Sequence, residues 1–286
     1  MRRSFLFAVL SLIALSSSAQ LLWKVSGNGL EKPTFVFGTM HSASPSMIEQ
    51  VTGLTEALEQ CDVLIVEVNE PDESGTPIAF FAPRDSTMDK LLSPEQFNVV
   101  KAAVVNYYAD ADLDQICQLT PVFLRAAMEH DFIKEVFPDV KMGDGIDQGL
   151  QARAAAKGKP VEAFETSQDQ YNFFAQASVS LKQQALDLYE DCTDVNYFQK
   201  FHDQCIAECR SYLNQELNTT ITTNEDSSED GKEILVSGRN RNWVEQLVKK
   251  MPRQSCLVVV GRAHLRGDDG LLQLLRDRGY TVEPMQ

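Results

Sequence analysis

Short apolar runs near both ends of the chain predict strands. Runs at 21–25 and 34–37 flank Gly-Asn-Gly, a turn sequence that indicates a β-hairpin. Asp-Val-Leu-Ile-Val-Glu-Val at 62–68 is the strongest predicted strand, and its unbroken β-branched character indicates burial on both faces. Further strands are predicted at 255–260 and 280–283.

Helical periodicity fills most of the chain between these strands. Apolar residues at helical spacing predict a helix over 44–59, and Ser93-Pro94-Glu95 supplies a cap and a first-turn proline for another. Six more helices are predicted, at 121–130, 149–157, 178–191, 195–217, 239–250 and 270–278. A short strand is predicted at 160–164, and the polar residues 218–231 predict a loop.

Strands at both ends with helices between them predict an α/β (or α+β) fold. The sheet is assembled from N- and C-terminal segments, and the mostly helical middle, about 83–237, is an insertion. We expect a single domain over 20–286. Before it, two arginines, a short apolar stretch and small residues up to Ala19 predict a signal peptide at 1–19. The mature protein is therefore expected to be exported, periplasmic or secreted, without a stable membrane anchor.

Composition supports a globular domain and argues against two kinds of partner. Apolar residues make up 43% of the chain, enough for a substantial core, and the net charge is −15. A chain this acidic, with no basic patch, is not expected to bind the phosphates of nucleic acid or an anionic membrane. Composition specifies no oligomeric state.

Six cysteines in an exported chain permit disulfides. Three of them, Cys192, Cys205 and Cys209, lie in the predicted helical hairpin, so a bridge there or to Cys117 is favoured. Cys61 and Cys256 begin apolar strands and are predicted to be buried thiols. A zinc site at Cys205 and Cys209 is disfavoured because a second pair of ligands is missing.

Two turns share one local design, Gly38-Thr39-Met40-His41 and Gly261-Arg262-Ala263-His264. Each follows a buried apolar strand, where a glycine lets the chain turn sharply. The histidine is then presented at the strand end, where open α/β sheets bind ligands. Because two of only four histidines occupy the same context, the sequence predicts that they share a site.

Glu67 ends the buried strand at 62–68, where a carboxylate without partners would be costly. If this strand runs parallel to 34–37, Glu67 and His41 lie at neighbouring strand ends. Two histidines and a carboxylate can hold a divalent ion and leave positions for water. The same groups without metal could activate water by general base catalysis. Alternatively, Glu67 simply emerges into solvent or pairs with a lysine.

These turns resemble the paired Gly-x-x-His motifs of the TraB/PrgY/GumN family. Glu67, within Ile-Val-Glu-Val, matches the motif that follows the family's first helix. Further segments that resemble the family are Gly145-Ile146-Asp147, Glu165-Thr166-x-x-Asp169 with Gln168 or Gln170, Arg239-Asn240-x-x-Trp243 and Leu265-Arg266-Gly267. The resemblance spans about 21–284, carried by the first half and the last fifty residues rather than the central helices.

The resemblance implies a fold related to erythromycin-esterase-like and ChaN-like proteins, with the Tiki proteases in the same superfamily. Because Tiki proteins are described as metal-dependent proteases, it implies a metal-dependent hydrolase that acts on peptide bonds. His41, Glu67 and His264 are then catalytic residues that bind Mn, Co or Zn, and Glu165 is a fourth ligand or a supporting group.

The resemblance also places Arg239 at this site as a catalytic residue. It could clamp a substrate carboxylate or stabilise an oxyanion, although a surface ion pair at the start of its helix is an equally open interpretation. Asp147 and Asn240 are weaker candidates, which could cap helices or orient the metal ligands.

Two other functions fit the same residues. In a metal-independent, esterase-like hydrolase, His41 is the base, Glu67 orients it and Arg239 lies at the leaving group. In a binding protein, the cleft sequesters a peptide, a pheromone or another ligand without turnover, as is reported for some relatives of this type. The partner is in every case a peptide or a small molecule.

Overall fold

The structure is a computed structural model that describes residues 20–69, 81–108, 112–141, 143–217 and 229–285. The predicted signal peptide and most of the predicted loop at 218–231 lie outside these ranges. Within them, no helix has both the length and the apolar character needed to cross a bilayer.

A six-stranded mixed sheet lies at the centre of the described fold. Its strands are β1 (Leu22–Ser26), β2 (Thr34–Thr39), β3 (Val63–Val68), β4 (Val161–Glu165), β5 (Cys256–Gly261) and β6 (Thr281–Pro284). Their order across the sheet is β4-β3-β5-β2-β1-β6. The four strands from β4 to β2 are parallel, whereas β1 is antiparallel to both of its neighbours. The predicted α/β class and the predicted β1–β2 hairpin are therefore confirmed.

Helices cover both faces of this sheet and fill the middle of the chain. The α-helices are α1 (Leu54–Gln60), α2 (Met88–Leu91), α3 (Pro94–Tyr107), α4 (Leu113–Ile116), α5 (Pro121–Val136), α6 (Ile146–Ala156), α7 (Ser167–Ala177), α8 (Leu181–Cys192), α9 (Tyr197–Leu213), α10 (Glu229–Lys232), α11 (Gly238–Lys250) and α12 (Leu271–Asp277). Two 3-10 helices, Pro45–Glu49 and Arg262–Leu265, and a π-helix, Glu233–Ser237, complete the described helical elements.

Alternate residues of the central strands pack into two apolar cores. On β3, Leu64 and Val66 pack with α1 and α6, whereas Val63 and Ile65 pack with α11 and α12 on the opposite face. Because helices cover both faces, the β-branched run is buried from residue 63 to 67, as its sequence predicts. A third core joins α2, α3, α5, α8 and α9 in the helical middle.

One predicted element is wrong, and another is confirmed as part of the main sheet. The continuous helix predicted over 44–59 is wrong, because Gly53 adopts a left-handed conformation (φ 80°) and separates a 3-10 helix from α1. The short strand predicted at 160–164 is β4, which pairs with β3 at the edge of the main sheet. The middle of the chain thus contributes a strand as well as helices.

The disulfide prediction is also wrong. All six cysteines are free thiols, including the three of the helical hairpin. Cys205 and Cys209 lie one turn apart on α9, and both are buried. Burial raises the pKa of each of these two thiols to about 12. Cys61 and Cys256 are buried thiols, as predicted.

Candidate active site

The parallel strands deliver the predicted site residues to one edge of the sheet. Glu67 lies in β3, Glu165 ends β4, and His41 and His264 lie just beyond β2 and β5. A cleft of about 600 Å³ opens at this edge. Its lining includes His41, Glu67, Arg239 and His264. Strand polarity therefore places residues from distant parts of the chain around one space.

Glu67 is the point on which the two histidines converge. Its Oε1 atom lies 3.7 Å from His41 Nε2 and 3.8 Å from His264 Nε2. The strands that carry Glu67 and His41 are parallel but not adjacent, because β5 lies between them. The expectation of neighbouring strand ends is therefore wrong, and the two side chains meet across the end of β5.

Gly261 makes this meeting possible. A Cβ atom at position 261 would lie 2.9 Å from His41 Nε2 and 3.5 Å from Glu67 Oε1. The backbone of Gly261 is not in the left-handed region, since its φ is −53°. The turn after β5 therefore does not depend on a left-handed glycine. The absence of a Cβ at position 261 leaves room for the His41 imidazole beside the Glu67 carboxylate.

His264 is buried and held as a neutral ring. The Asn240 amide nitrogen donates to the carbonyl oxygens of His264 and Asp269, which assigns its Oδ1 as the acceptor 2.7 Å from His264 Nδ1. The proton therefore sits on Nδ1, and the Nε2 lone pair accepts from Arg239 Nη1 at 3.3 Å, beside Glu67. Burial, with the nearby Arg239 charge opposing protonation, outweighs the attraction of Glu67 and lowers the pKa of His264 to about 4.

His41 has the opposite environment. Its side chain is 61% exposed, and its Nδ1 lies 3.0 Å from Asp147 Oδ2. Thr39 Oγ1 donates to the other oxygen of Asp147 at 3.1 Å and so holds that carboxylate in place. Desolvation at the cleft wall opposes protonation of His41, but Asp147 and then Glu67 outweigh it and raise the pKa to about 9.

Gly145 allows α6 to bring Asp147 to His41. A Cβ atom at position 145 would lie 1.7 Å from the His41 carbonyl oxygen, so only glycine permits this approach. The Asp147 side chain and His41 are 106 positions apart in sequence. The Gly-Ile-Asp segment thus orients a histidine in addition to opening a helix.

Each oxygen of the Glu67 carboxylate has a fixed donor. Oε1 accepts from the Gly261 N–H at 2.8 Å, and Oε2 accepts from Arg239 at 2.6 Å and Gln170 at 3.1 Å. Burial opposes ionisation of Glu67, but His264, His41 and Arg239 together with the Gly261 N–H outweigh it. They lower the pKa of Glu67 to about 2.

Arg239 lies inside the protein, and all of its N–H groups have partners. Nε donates to both oxygens of Glu165, and Nη2 donates to Glu67 and Glu165. Nη1 donates to the Leu235 carbonyl oxygen in the π-helix at 2.9 Å and lies 3.3 Å from His264 Nε2. The guanidinium therefore joins Glu67, Glu165 and His264 into one network, and its side chain is only 6% exposed.

Glu165 belongs to this network rather than to the open side of the cleft. Besides Arg239, its Oε1 accepts from the Trp243 indole N–H at 2.7 Å. The Trp243 ring also lies 4.5 Å from the His264 ring and under the Arg239 guanidinium. Of the four predicted metal ligands, the structure thus brings His41, Glu67 and His264 together, and it directs Glu165 towards Arg239.

Sequence reasoning missed several groups that hold the site. The Thr39 hydroxyl, the Gly261 N–H and the Trp243 N–H lie in segments that resemble the family, but their roles were not predicted, because each acts through a distant partner. The alternative of Gln168 or Gln170 is resolved, since Gln170 is the residue that donates to Glu67. Among the described residues, no three His, Cys, Asp or Glu side chains are already arranged to enclose a metal ion.

Comparison with known proteins identifies the family. The sequence profile of the TraB/PrgY/gumN family matches residues 21–284, nearly the whole chain. This chain belongs to the TraB/PrgY/gumN family. Two relatives are each named "Uncharacterized protein YbaP", one from Escherichia coli (strain K12) and one from Shigella flexneri. Each is 26% identical over 242 residues, which cover 84% of this chain and 87% of the relative. No solved structure gives a significant match to this family member.

Proposed function

We propose that this protein is a hydrolase whose reaction centre is formed by His41, Glu67 and His264 with a divalent metal ion. The observation that carries the proposal is the position of both Nε2 atoms within 3.8 Å of one Glu67 oxygen. Peptide bonds are the proposed target, because the family resemblance implies a superfamily that includes the metal-dependent Tiki proteases. A cleft of about 600 Å³ has the size of a small-molecule or short-peptide site.

The donor set fits a divalent ion of the Mn, Co or Zn type. Asp147 and Asn240 hold the Nδ1 atoms of the two histidines and leave both Nε2 atoms on the side of Glu67, the arrangement that orients metal-bound imidazoles. A bound ion would replace Arg239 Nη1 as the partner of His264 Nε2. Charge also fits. The carboxylates of Glu67, Glu165 and Asp147 and the guanidinium of Arg239 together carry a net charge of −2 when both imidazoles are neutral.

Each side chain then has a distinct role. His41, Glu67 and His264 hold the ion, which when bound lowers the pKa of a coordinated water towards neutrality. Arg239 is a positioning residue, because its N–H groups all serve Glu67, Glu165, Leu235 and His264 rather than open space. Asp147 keeps the His41 ring oriented, and His41 is the group of the centre that faces solvent.

One observation favours a second candidate, a metal-independent hydrolase. The raised pKa of His41, about 9, keeps the ring protonated at neutral pH, which suits a general acid for the leaving group. In this candidate Asp147 orients His41, the part assigned to Glu67 from the sequence alone.

Metal content separates the two candidates. The purified protein is loaded with Mn²⁺, Co²⁺ or Zn²⁺, dialysed and assayed for bound metal, and then for cleavage of a defined peptide mixture by mass spectrometry. We expect about one ion per chain in the wild type, with strong loss in His41→Gln and His264→Gln. Uptake should rise with pH through about 9, because the proton held by His41 competes with the metal.

His202→Gln is the matched control, because His202 pairs with Glu135 and Asp203 outside the cleft. It should retain metal and cleavage. Equal metal content in all four proteins contradicts the metal centre. Cleavage that survives chelation but disappears in His41→Gln supports the metal-independent candidate. Recovery of an intact bound peptide without cleavage contradicts hydrolysis and supports a binding protein.

A further inference from the structure

The cleft has a second charged wall, away from the two histidines. It is formed by Glu129 on α5, Glu208 on α9 and Arg262 in the turn after β5. Arg262 forms an ion pair with Glu208, donates to the Glu216 carbonyl oxygen at 2.9 Å and lies over the Tyr212 ring. Its charge is therefore committed to holding α9 against the turn.

Glu129 has no such partner. Its carboxyl group is partly buried in the lining of the cleft, and within the described residues it makes no hydrogen bond and no ion pair. Burial, followed by the negative charge of Glu208, raises the pKa of Glu129. A carboxylate in this position is costly unless a cation or a hydrogen-bond donor reaches it.

The other cations that line the described cleft do not meet this need. The guanidinium of Arg239 is satisfied by Glu67 and Glu165, and His41 is paired with Asp147. A cation that enters the cleft from solution could pair with Glu129. The net charge of −15 favours the approach of such a positive group from solution.

We propose that Glu129 is a specificity residue that binds a positively charged group of the substrate, an α-amino group or the side chain of Lys or Arg. The cleft would then select cationic peptides. This inference rests on the proposed peptide hydrolase, since it describes the substrate of that same cleft. Glu208 adds to the negative potential while it remains paired with Arg262.

A matched pair of short fluorescent peptides, differing only by lysine or its uncharged isostere norleucine, tests the inference in two ways. Binding is measured by anisotropy and cleavage by mass spectrometry, each with the metal-loaded wild type, Glu129→Gln and the control Glu190→Gln. Glu190 is exposed on α8 and does not line the cleft. Circular dichroism and thermal unfolding verify that each variant is folded.

The wild type and Glu190→Gln should bind the lysine peptide about tenfold more tightly than the norleucine peptide, the scale of one charged hydrogen bond. In Glu129→Gln the preference should disappear, while binding of the norleucine peptide stays unchanged. Equal binding of both peptides by the wild type, or a preference that survives in Glu129→Gln, overturns the inference. Binding with the expected preference but without cleavage supports Glu129 and contradicts the proposed hydrolase instead.

Discussion

The two Gly-x-x-His turns are alike in sequence and opposite in electrostatics. His264 is 7% exposed with a pKa lowered to about 4, whereas His41 is 61% exposed with a pKa raised to about 9. Both rings approach the same oxygen of Glu67. The difference in pKa therefore arises from the burial of each ring and from the groups that contact it, not from the shared motif.

An amide contacts Nδ1 of His264, whereas a carboxylate contacts Nδ1 of His41. Asn240 accepts from His264 without adding charge, and the adjacent Arg239 guanidinium further disfavours a second proton. Asp147 adds a negative charge beside His41. Paired motifs can thus supply one fixed neutral nitrogen and one nitrogen that exchanges protons with solvent.

Among the substitutions considered, removal of Arg239 should have the largest effect on the environments of the two histidines. Arg239→Met should lower the free energy of unfolding by about 3–5 kcal/mol, because it leaves Glu67 and Glu165 buried without their cation. It should also raise the pKa of His264, since Arg239 opposes protonation of that ring. Urea unfolding measures the first effect and NMR titration the second.

Arg241→Met is the control on the same helix. Arg241 is 48% exposed in its pairs with Glu233 and Asp269, so its loss should cost no more than about 1 kcal/mol. Equal losses for the two variants would mean that the buried network contributes no more than a surface pair.

The two histidines should also differ in how they make the free energy of unfolding depend on pH. The unfolded chain protonates His264 below its ordinary pKa of 6.5, whereas the folded chain does so only below about 4. Between these values the unfolded state binds more protons, so the free energy of unfolding should fall as pH is lowered, by up to about 3 kcal/mol from this ring. His264→Gln should flatten that part of the curve.

His41 should change the free energy of unfolding with pH in the opposite direction, and by a smaller amount. Its folded pKa of about 9 exceeds 6.5, so its stabilisation is complete below pH 6.5 and is lost as pH rises through 9. Solvent screens this contribution, because the side chain is 61% exposed. If the loss of stability at acid pH is unchanged in His264→Gln, the assignment of His264 as a buried neutral ring is contradicted.

Gly261→Ala offers a smaller and more local test. Its added methyl would lie 2.9 Å from His41 Nε2, so we expect a loss of about 1–3 kcal/mol and weaker metal retention as His41 moves from Glu67. In a His41→Ala background the same substitution should cost much less, because the ring that it meets is gone. Additive losses in the urea unfolding of the double variant would exclude this close approach.

The local parts of the site could be predicted from the sequence. A histidine just beyond a buried strand and a glutamate at the end of another mark one edge of the sheet, because strand polarity brings such ends together. The break at Gly53 was not predicted, because the apolar spacing on either side of it favours one continuous helix.

The partners of these residues could not be predicted. Asp147 reaches His41 across 106 positions, and Arg239 reaches Glu165 across 74, so each pairing depends on the order of strands and helices in space. Whether Arg239 faces solvent or the interior follows only from the positions of both carboxylates. The role of Gly261 likewise required the knowledge that β5 lies between β2 and β3.

The most direct test of the account is an NMR titration of the imidazole nitrogens in the metal-free protein from pH 3.5 to 10. Comparison with His41→Gln and His264→Gln assigns the two rings. The account predicts that His264 titrates near pH 4 with its proton on Nδ1 at neutral pH, and that His41 titrates near pH 9. Two rings that titrate together near pH 6.5, or in the reverse order, would contradict it.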